Sequence, residues 1–366
     1  MAVKQIGTSR EFIIHPGEMI ADLITERGIT QSELARRMGV SEAYISSVLS
    51  GKKSISANLA MLLEYALGVS KTFWLNLQAN YDAEILAADE MDTVTEAEVA
   101  LCPVLRSIIK DLRNRGLIPV AQKAEETVIS LRKALKVGNL CNLKDIVPAG
   151  AFRMAGKAPI NEYVMGAWLQ LNLSDKSTMR LNEGFNVEKV DSLVSSLKRI
   201  MLNRELNPQE ELPKVLALYG IGFRVVRDFK GAPVHGFISK RKDGTYQMIL
   251  TIRGAYADIF WFSLFHELGH IINGDVNRTG YYMDIAESEE NDHEAKANIF
   301  AADALLEAQA YQRFVQQGYF NRTTITTFAS EQHVPPYIVI GRLQKEGRIP
   351  YHWFSDLKLR YKWSHQ

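Results

Sequence analysis

Apolar residues recur at three- and four-residue intervals through the first 80 positions, in short runs broken by Gly28, Gly39, Gly51 and Gly68. That spacing predicts a set of short helices with glycine punctuation. Residues 104–136 repeat the pattern through Val104, Leu105, Ile108, Ile109 and Leu112, and it stays helical from about 145 to 217. Between 218 and 252 the period changes. YGIGFRVVRD and VHGFISKRKDGTYQMILTI read as strands, with Lys242-Asp243-Gly244 supplying a hairpin turn. Helical patterns return at about 256–274 and 288–316, and the last fifty residues mix short helices with a polar, aromatic tail. There is no internal repeat and no low-complexity tract.

The chain has 366 residues, 46% of them hydrophobic and 23% charged, which suits a globular protein of two or three domains. These values exclude wholesale disorder and a collagen-like repeat. The net charge of +1 excludes a basic coat over the whole molecule, so any nucleic-acid contact must use a local patch. Two cysteines, Cys102 and Cys141, build no disulfide framework, and a reducing cytoplasm is the expected compartment. No signal-peptide core opens the sequence, and the most apolar run, 259–265, is far short of a membrane span. Residues 82–98 carry seven acids and no Lys or Arg, which reads as a solvated linker or helix face. Residues 104–136 swing to a local net of +5, readable as a solvated helix face or, more sharply, as a contact to DNA phosphates. The boundaries expected from these shifts are 1–82, 83–145 and 146–366. The expected fold class is mainly α with a small α+β part.

The segment 30–56 carries a specific arrangement. Thr30 can cap a helix beginning at Gln31, with Glu33 at capping-box spacing. Leu34, Ala35 and Met38 give that helix an inner face, and Gly39 permits the left-handed turn that ends it. Ser41 caps the next helix, which buries Ile45, Val48 and Leu49 and turns Glu42, Ala43, Tyr44 and Ser47 outward. This is the helix-turn-helix layout, in which Gln31, Ser41, Glu42, Tyr44 and Ser47 become candidate DNA contacts. Lys52 and Lys53, just beyond, are candidate phosphate contacts. The plainer alternative is a helical hairpin without a ligand. Residues 1–80 hold eight Lys or Arg against seven acids, so affinity per subunit is expected to be modest and dimerisation the remedy. HPGEMI at 15–20, TQSELARRMGVS at 30–41, LSGKKSIS at 49–56 and LGVSKTFWLNLQANYD at 67–82 closely resemble the Cro/C1-type domain of HigA-like antitoxins. The resemblance implies a five-helix domain in a dimeric repressor that binds an inverted-repeat operator and often neutralises a toxin protein.

A second arrangement lies in FSLFHELGHIING, 262–274. On a helix His266 and His270 sit one turn apart on one face, so both imidazoles can reach one ion. Glu267 sits beside them, able to act as general base on a metal-activated water. The neutral alternative is a coincidental helix with two surface histidines. A catalytic zinc wants a third protein ligand, and DHEAKANIFAADALL at 292–306 offers it from a second helix. Glu294 can be that ligand while Asn298, one turn on, hydrogen-bonds a ligand histidine. His293 is the competing third ligand. The expected cofactor is zinc. An extended substrate is expected to pair with an edge strand, taken as Gly244–Ile252. Tyr281, Tyr282, Arg278 and His235 are all candidates for stabilising an oxyanion.

HELGHIING followed by EAKANIFAADALL resembles the ImmA/IrrE group of gluzincin-like zinc metallopeptidases, and residues 334–363 resemble the tail of members fused behind a HigA-like domain. The group's second motif usually ends Leu-Leu-x-Pro; here Leu305-Leu306-Glu307 is followed by Ala308. The resemblance implies a zinc endopeptidase, with Glu294 as ligand and Asn298 as its partner, that cleaves a regulatory protein or the chain itself. The alternative is a DNA-binding antitoxin whose zinc domain is a sensor or structural module without turnover. Operator DNA, a toxin protein and a protein or peptide substrate are the expected partners, with no membrane.

Overall fold

The computed structural model describes residues 13–147, 160–173, 181, 183–252, 256–277, 281–285 and 292–361. Its contacts group the chain into two compact units, Met1–Val99 with Ala121–Ile129, and Ala100–Val120 with Ser130–Gln366.

The first unit opens, among the described residues, with α1 (Pro16–Glu26), α2 (Gln31–Met38), α3 (Glu42–Leu49), α4 (Ala57–Leu67) and α5 (Lys71–Asp89). Their ends are set by local chemistry. Thr30, Ser41, Ser56 and Ser70 each accept a hydrogen bond from an amide in the first turn that follows, satisfying donors that the helix itself leaves open. The capping box expected at Thr30 forms only halfway, because the Glu33 carboxylate pairs instead with Arg37 one turn on. Gly39 takes φ +67°, the left-handed turn that an L side chain resists, and reverses the chain between α2 and α3. The apolar faces close on one core of Ile20, Leu34, Ile45, Leu59, Leu63 and Trp74, all at most 2% exposed. Each such side chain contributes roughly 1.5–3 kcal/mol by burial.

Three more helices follow: α6 (Glu96–Val99), α7 (Arg106–Asn114) and α8 (Ala124–Leu135). On α7, Ile108, Ile109 and Leu112 are buried while Arg106 and Lys110 stay exposed. Val104, counted in the apolar pattern, is exposed. Asp111 is buried and pairs with Arg227 at 3.1 Å and Arg115 at 3.4 Å.

The rest of the second unit runs α9 (Glu162–Leu173), α10 (Val190–Leu202), α11 (Pro208–Ala217), β1 (Ile221–Val226), β2 (Val234–Lys240), β3 (Tyr246–Thr251) and α12 (Ala257–Ile272). It continues with β4 (Tyr281–Ile285), α13 (Asp292–Leu305), α14 (Ala308–Gln316), α15 (Arg322–Glu331) and α16 (Pro336–Lys345). The strands form one mixed sheet in the order β1-β3-β2-β4. β1 pairs parallel with β3, while β2 pairs antiparallel with both β3 and β4. The segment expected to be an edge is therefore wrong: β3 is interior, flanked on both sides, and all six of its residues are buried. The edges are β1 and β4. β4 is only five residues long and gave no strand signal in the sequence. α12 packs against α13, β2, β3 and α16, which explains why eleven of its sixteen residues are buried, His266, Glu267 and His270 among them. No helix among the described residues is long and apolar enough to cross a membrane.

Because the Thr30 hydroxyl holds the Glu33 amide at 3.1 Å, Thr30→Ala should weaken α2 by about 1 kcal/mol. Native-state hydrogen exchange reads this directly: amides of the first turn should exchange about fivefold faster, and Thr30→Ser should restore most of the protection.

Candidate metal centre and candidate nucleic-acid interface

Gly269 lies at the contact between α12 and α13. A Cβ there would stand 3.0 Å from the Ala297 Cα and 3.2 Å from its carbonyl oxygen. The missing side chain lets the two backbones approach, and the approach places residues 266 and 270 of one helix over 294 and 298 of the other. His266 Nε2 and His270 Nε2 are 3.0 Å apart. Glu294 Oε2 is 3.1 Å from His266 Nε2, and Glu294 Oε1 is 3.6 Å from His270 Nε2. Tetrahedral donors at about 2.1 Å from a zinc ion are separated by about 3.4 Å from one another, so the spacing of the three donors suits a single ion of that size.

The outer nitrogens support the same reading. His266 Nδ1 meets Asn298 Oδ1 at 3.0 Å, and His270 Nδ1 meets Asp275 Oδ2 at 2.8 Å. Oxygen acceptors at both Nδ1 atoms favour the tautomers that carry the proton there. Both Nε2 lone pairs and a carboxylate then face one point, which is electrostatically unfavourable without a cation. His293, the competing ligand, is exposed and turned to Asp275, with its Nδ1 2.5 Å from Asp275 Oδ1. Asp275 escaped the sequence reading because it follows the histidine pair in a 3-10 turn, Asp275–Asn277, outside either motif.

Tyr282, on β4, donates from its hydroxyl to Glu294 Oε1, and its ring stacks on His270 with centroids 3.9 Å apart. Of the four oxyanion candidates, these contacts bring Tyr282 onto the donor cluster. Tyr281 stacks on Phe237, His235 is half-buried on β2, and Arg278 lies outside the described residues. Burial, then the hydrogen bond and charge of Glu294, push the Tyr282 hydroxyl well above its ordinary pKa, so it stays a proton donor at neutral pH. Burial by itself raises Glu294, but when the imidazoles are protonated, hydrogen bonds from His266 and Tyr282 and the charges of both rings outweigh burial and bring it down to about 2. Burial lowers His270 against the opposing pull of Asp275.

Glu267 is fully buried, and neither carboxylate oxygen has a hydrogen-bond partner among the described residues. It lies against β2 at Gly236, where a Cβ would come within 1.8 Å of Glu267 Oε1. Only glycine leaves that space. Burial first, then the charges of Asp284 and Glu294, raises the Glu267 pKa well above the ordinary carboxylate range.

In the N-terminal domain, Gln31 opens α2 and is exposed, as are Ser41, Glu42, Lys52 and Lys53. Ser41 accepts from the Tyr44 amide at 3.2 Å, and Glu42 accepts from the Ser32 hydroxyl at 2.5 Å. Tyr44 and Ser47 are half-buried: Lys53 Nζ sits over the Tyr44 ring at 4.8 Å, and the Ser47 hydroxyl donates to Ala43 O at 2.7 Å. Ser46, one helical turn after Glu42, is exposed on the same face of α3.

Residues 20–74 match the helix-turn-helix family. Over 63 residues the chain is 33% identical to the HTH-type transcriptional regulator YddM of Escherichia coli strain K12, covering 17% of this chain and 67% of that protein. The N-terminal domain therefore belongs to the helix-turn-helix family of transcriptional regulators. Virulence-associated protein A′ of Dichelobacter nodosus is 41% identical over 69 residues, covering 19% of this chain; the match spans 60% of that relative's length. Among solved structures, the antitoxin GraA is 31% identical, with 23% of this chain and 96% of that chain covered and a TM-score of 0.21. Pseudomonas aeruginosa antitoxin HigA, solved with the higBA promoter, is 30% identical, with 23% and 97% covered and the same TM-score.

Two outcomes test the metal-centre geometry. Gly236→Ala should destabilise the protein by about 1–3 kcal/mol through overpacking against Glu267, and Gly236→Ala with Glu267→Ala should recover most of that loss in urea unfolding. The raised carboxyl fixes a pH dependence as well. The folded metal-free protein holds the Glu267 proton more tightly than the unfolded chain, so this stabilisation is complete below the usual carboxylate range and is lost as pH rises through the folded value. Metal-free wild type should therefore lose stability against Glu267→Gln as pH rises above about 4.5; parallel pH curves would contradict the burial of an unpartnered carboxyl.

Proposed function

We propose that this chain is a DNA-binding transcriptional regulator of the antitoxin-like repressor type that carries a zinc-dependent endopeptidase in its second unit. The observation that carries the peptidase half is the meeting of His266, His270 and Glu294 beside a buried, unpartnered Glu267. A purely structural metal needs no such carboxylate, and leaving one buried without a partner is costly.

His266, His270 and Glu294 would hold the ion, with Asn298 and Asp275 fixing the two imidazoles through their Nδ1 atoms. A zinc ion bound there supplies Lewis acidity. Glu267 accepts the proton of the attacking water at a carboxylate oxygen and returns it to the leaving amine. Tyr282 offers a hydroxyl proton beside the same donors. β4, as a sheet edge carrying Tyr282, is the strand on which an extended peptide would add by main-chain hydrogen bonds.

In the regulator half, α3 enters the major groove of an inverted-repeat operator, with the chain acting as a homodimer. Glu42 and Ser46 present exposed polar groups, Tyr44 and Ser47 flank them, and Gln31 and Ser41 reach the backbone. Lys52 and Lys53 hold phosphates. A toxin protein is the expected second partner, and a repressor-type protein or this chain itself the expected substrate.

Glu267→Gln should keep its metal and its operator binding while proteolysis of the purified zinc-loaded protein, or of an added repressor, falls about 10²–10⁴-fold. Full proteolysis in this variant would remove Glu267 from the chemistry. Absence of any cleavage by the wild type favours a metal-bound sensor over an enzyme. Replacing both Lys52 and Lys53 by Ala should weaken binding to all DNA sequences and reduce the salt slope by up to about two units. An unchanged slope in gel-shift titrations would show that these lysines do not touch phosphate.

A further inference from the structure

The metal-binding helices carry a second feature. A cavity of about 790 Å³ opens beside α12, α13 and α16, lined by Ile259, Phe262, Ala302, Leu305, Leu306 and Ile338 among others. That volume lies within the range of small-molecule pockets, and the lining is mainly apolar, as such pockets require. Three cations also face it, and two of them are neutralised. Lys358 pairs with Asp258 at 3.1 Å, and Arg342 pairs with Glu346 at 3.1 Å. Lys345 instead lies over the ring of Phe262 at 4.9 Å, with no carboxylate in ion-pair reach among the described residues. The cavity thus combines an apolar body with one uncompensated positive charge at its margin.

Two of its lining side chains touch a proposed metal ligand. Asn298 meets His266 Nδ1 at 3.0 Å, and the Phe262 ring lies 6.2 Å from the His266 ring, centroid to centroid. An occupant of the cavity would meet Asn298, which holds His266 Nδ1, and Phe262 beside the His266 ring.

We infer that this cavity is a regulatory site for a small amphipathic carboxylate, whose apolar chain occupies the pocket, whose charge meets Lys345, and whose presence alters the metal centre through Asn298. The binding part stands on the cavity alone. The coupling rests on the zinc reading above.

Dodecanoate, used below its micelle concentration, is the probe, with the dodecyltrimethylammonium cation as the control of opposite charge. Calorimetry on the full-length, metal-free protein should give one saturable dodecanoate site per chain and at least about fivefold weaker binding of the cation. Ala302→Trp should abolish the site by filling it. Lys345→Glu, a surface change that leaves the core intact, should weaken dodecanoate at least about fivefold. Absence of saturable binding, equal binding of the cation, or unchanged binding in both variants would overturn the site. Competition of zinc-loaded protein against a chelator then reads the coupling: dodecanoate should shift the apparent zinc affinity at least about threefold in wild type and leave it unmoved in Ala302→Trp. An unchanged zinc affinity overturns the coupling. If zinc does not bind at all, the metal reading fails, and the metal-free calorimetry still decides the cavity.

Discussion

The close approach of two helices at Gly269 and Ala297 is the contact on which the candidate ion site depends. A helix has a backbone radius of about 2.3 Å and packs on its neighbour at 8–10 Å when side chains intervene. Across this contact the His266, His270 and Glu294 donors come within 3.0–3.6 Å of one another. The remaining features follow from this contact. Residues 266 and 270 meet 294 and 298, Glu267 lies between His266 and the sheet, and Gly236 gives it room.

The same contact explains why so much polarity is buried in the apolar second unit. His266, Glu267, His270 and Glu294 are each at most 9% exposed, within packing that includes Trp261, Leu264, Phe265 and Leu268 at 0%. Three of the four polar groups satisfy one another and their outer partners Asn298, Asp275 and Tyr282. Glu267 alone is left without a hydrogen bond among the described residues. A fold that buries an unsatisfied carboxylate carries a local instability, and such exceptions to consistent packing mark functional positions.

Much of this was legible in the sequence because it depends on local spacing. The glycine at 39, the caps at Thr30 and Ser41, and the hairpin turn at 242–244 are short-range signals, and the i, i+4 histidines need only one helix. What was not legible depends on distant pairing. The choice of β1 and β4 as edges follows from a parallel crossover that places β3 inside, and no feature of Tyr246–Thr251 distinguishes an interior strand from an edge in advance. β4 is too short to show a period. Asp275 and Gly236 acquire their roles only when the helix pair lies against the sheet, and Tyr282 separates from Tyr281 only once the strand fixes which face each ring takes.

The central claim is that three side chains from two helices make one tetrahedral ion site. Cobalt(II) titration of the metal-free protein tests it most directly, because the intensity of the visible absorption reports coordination geometry and the titration reports stoichiometry. Saturation is expected at one equivalent with the strong absorption of a tetrahedral site, lost in Glu294→Ala and retained in His293→Ala. A weak octahedral spectrum, or a titration that Glu294→Ala leaves unchanged, would contradict it.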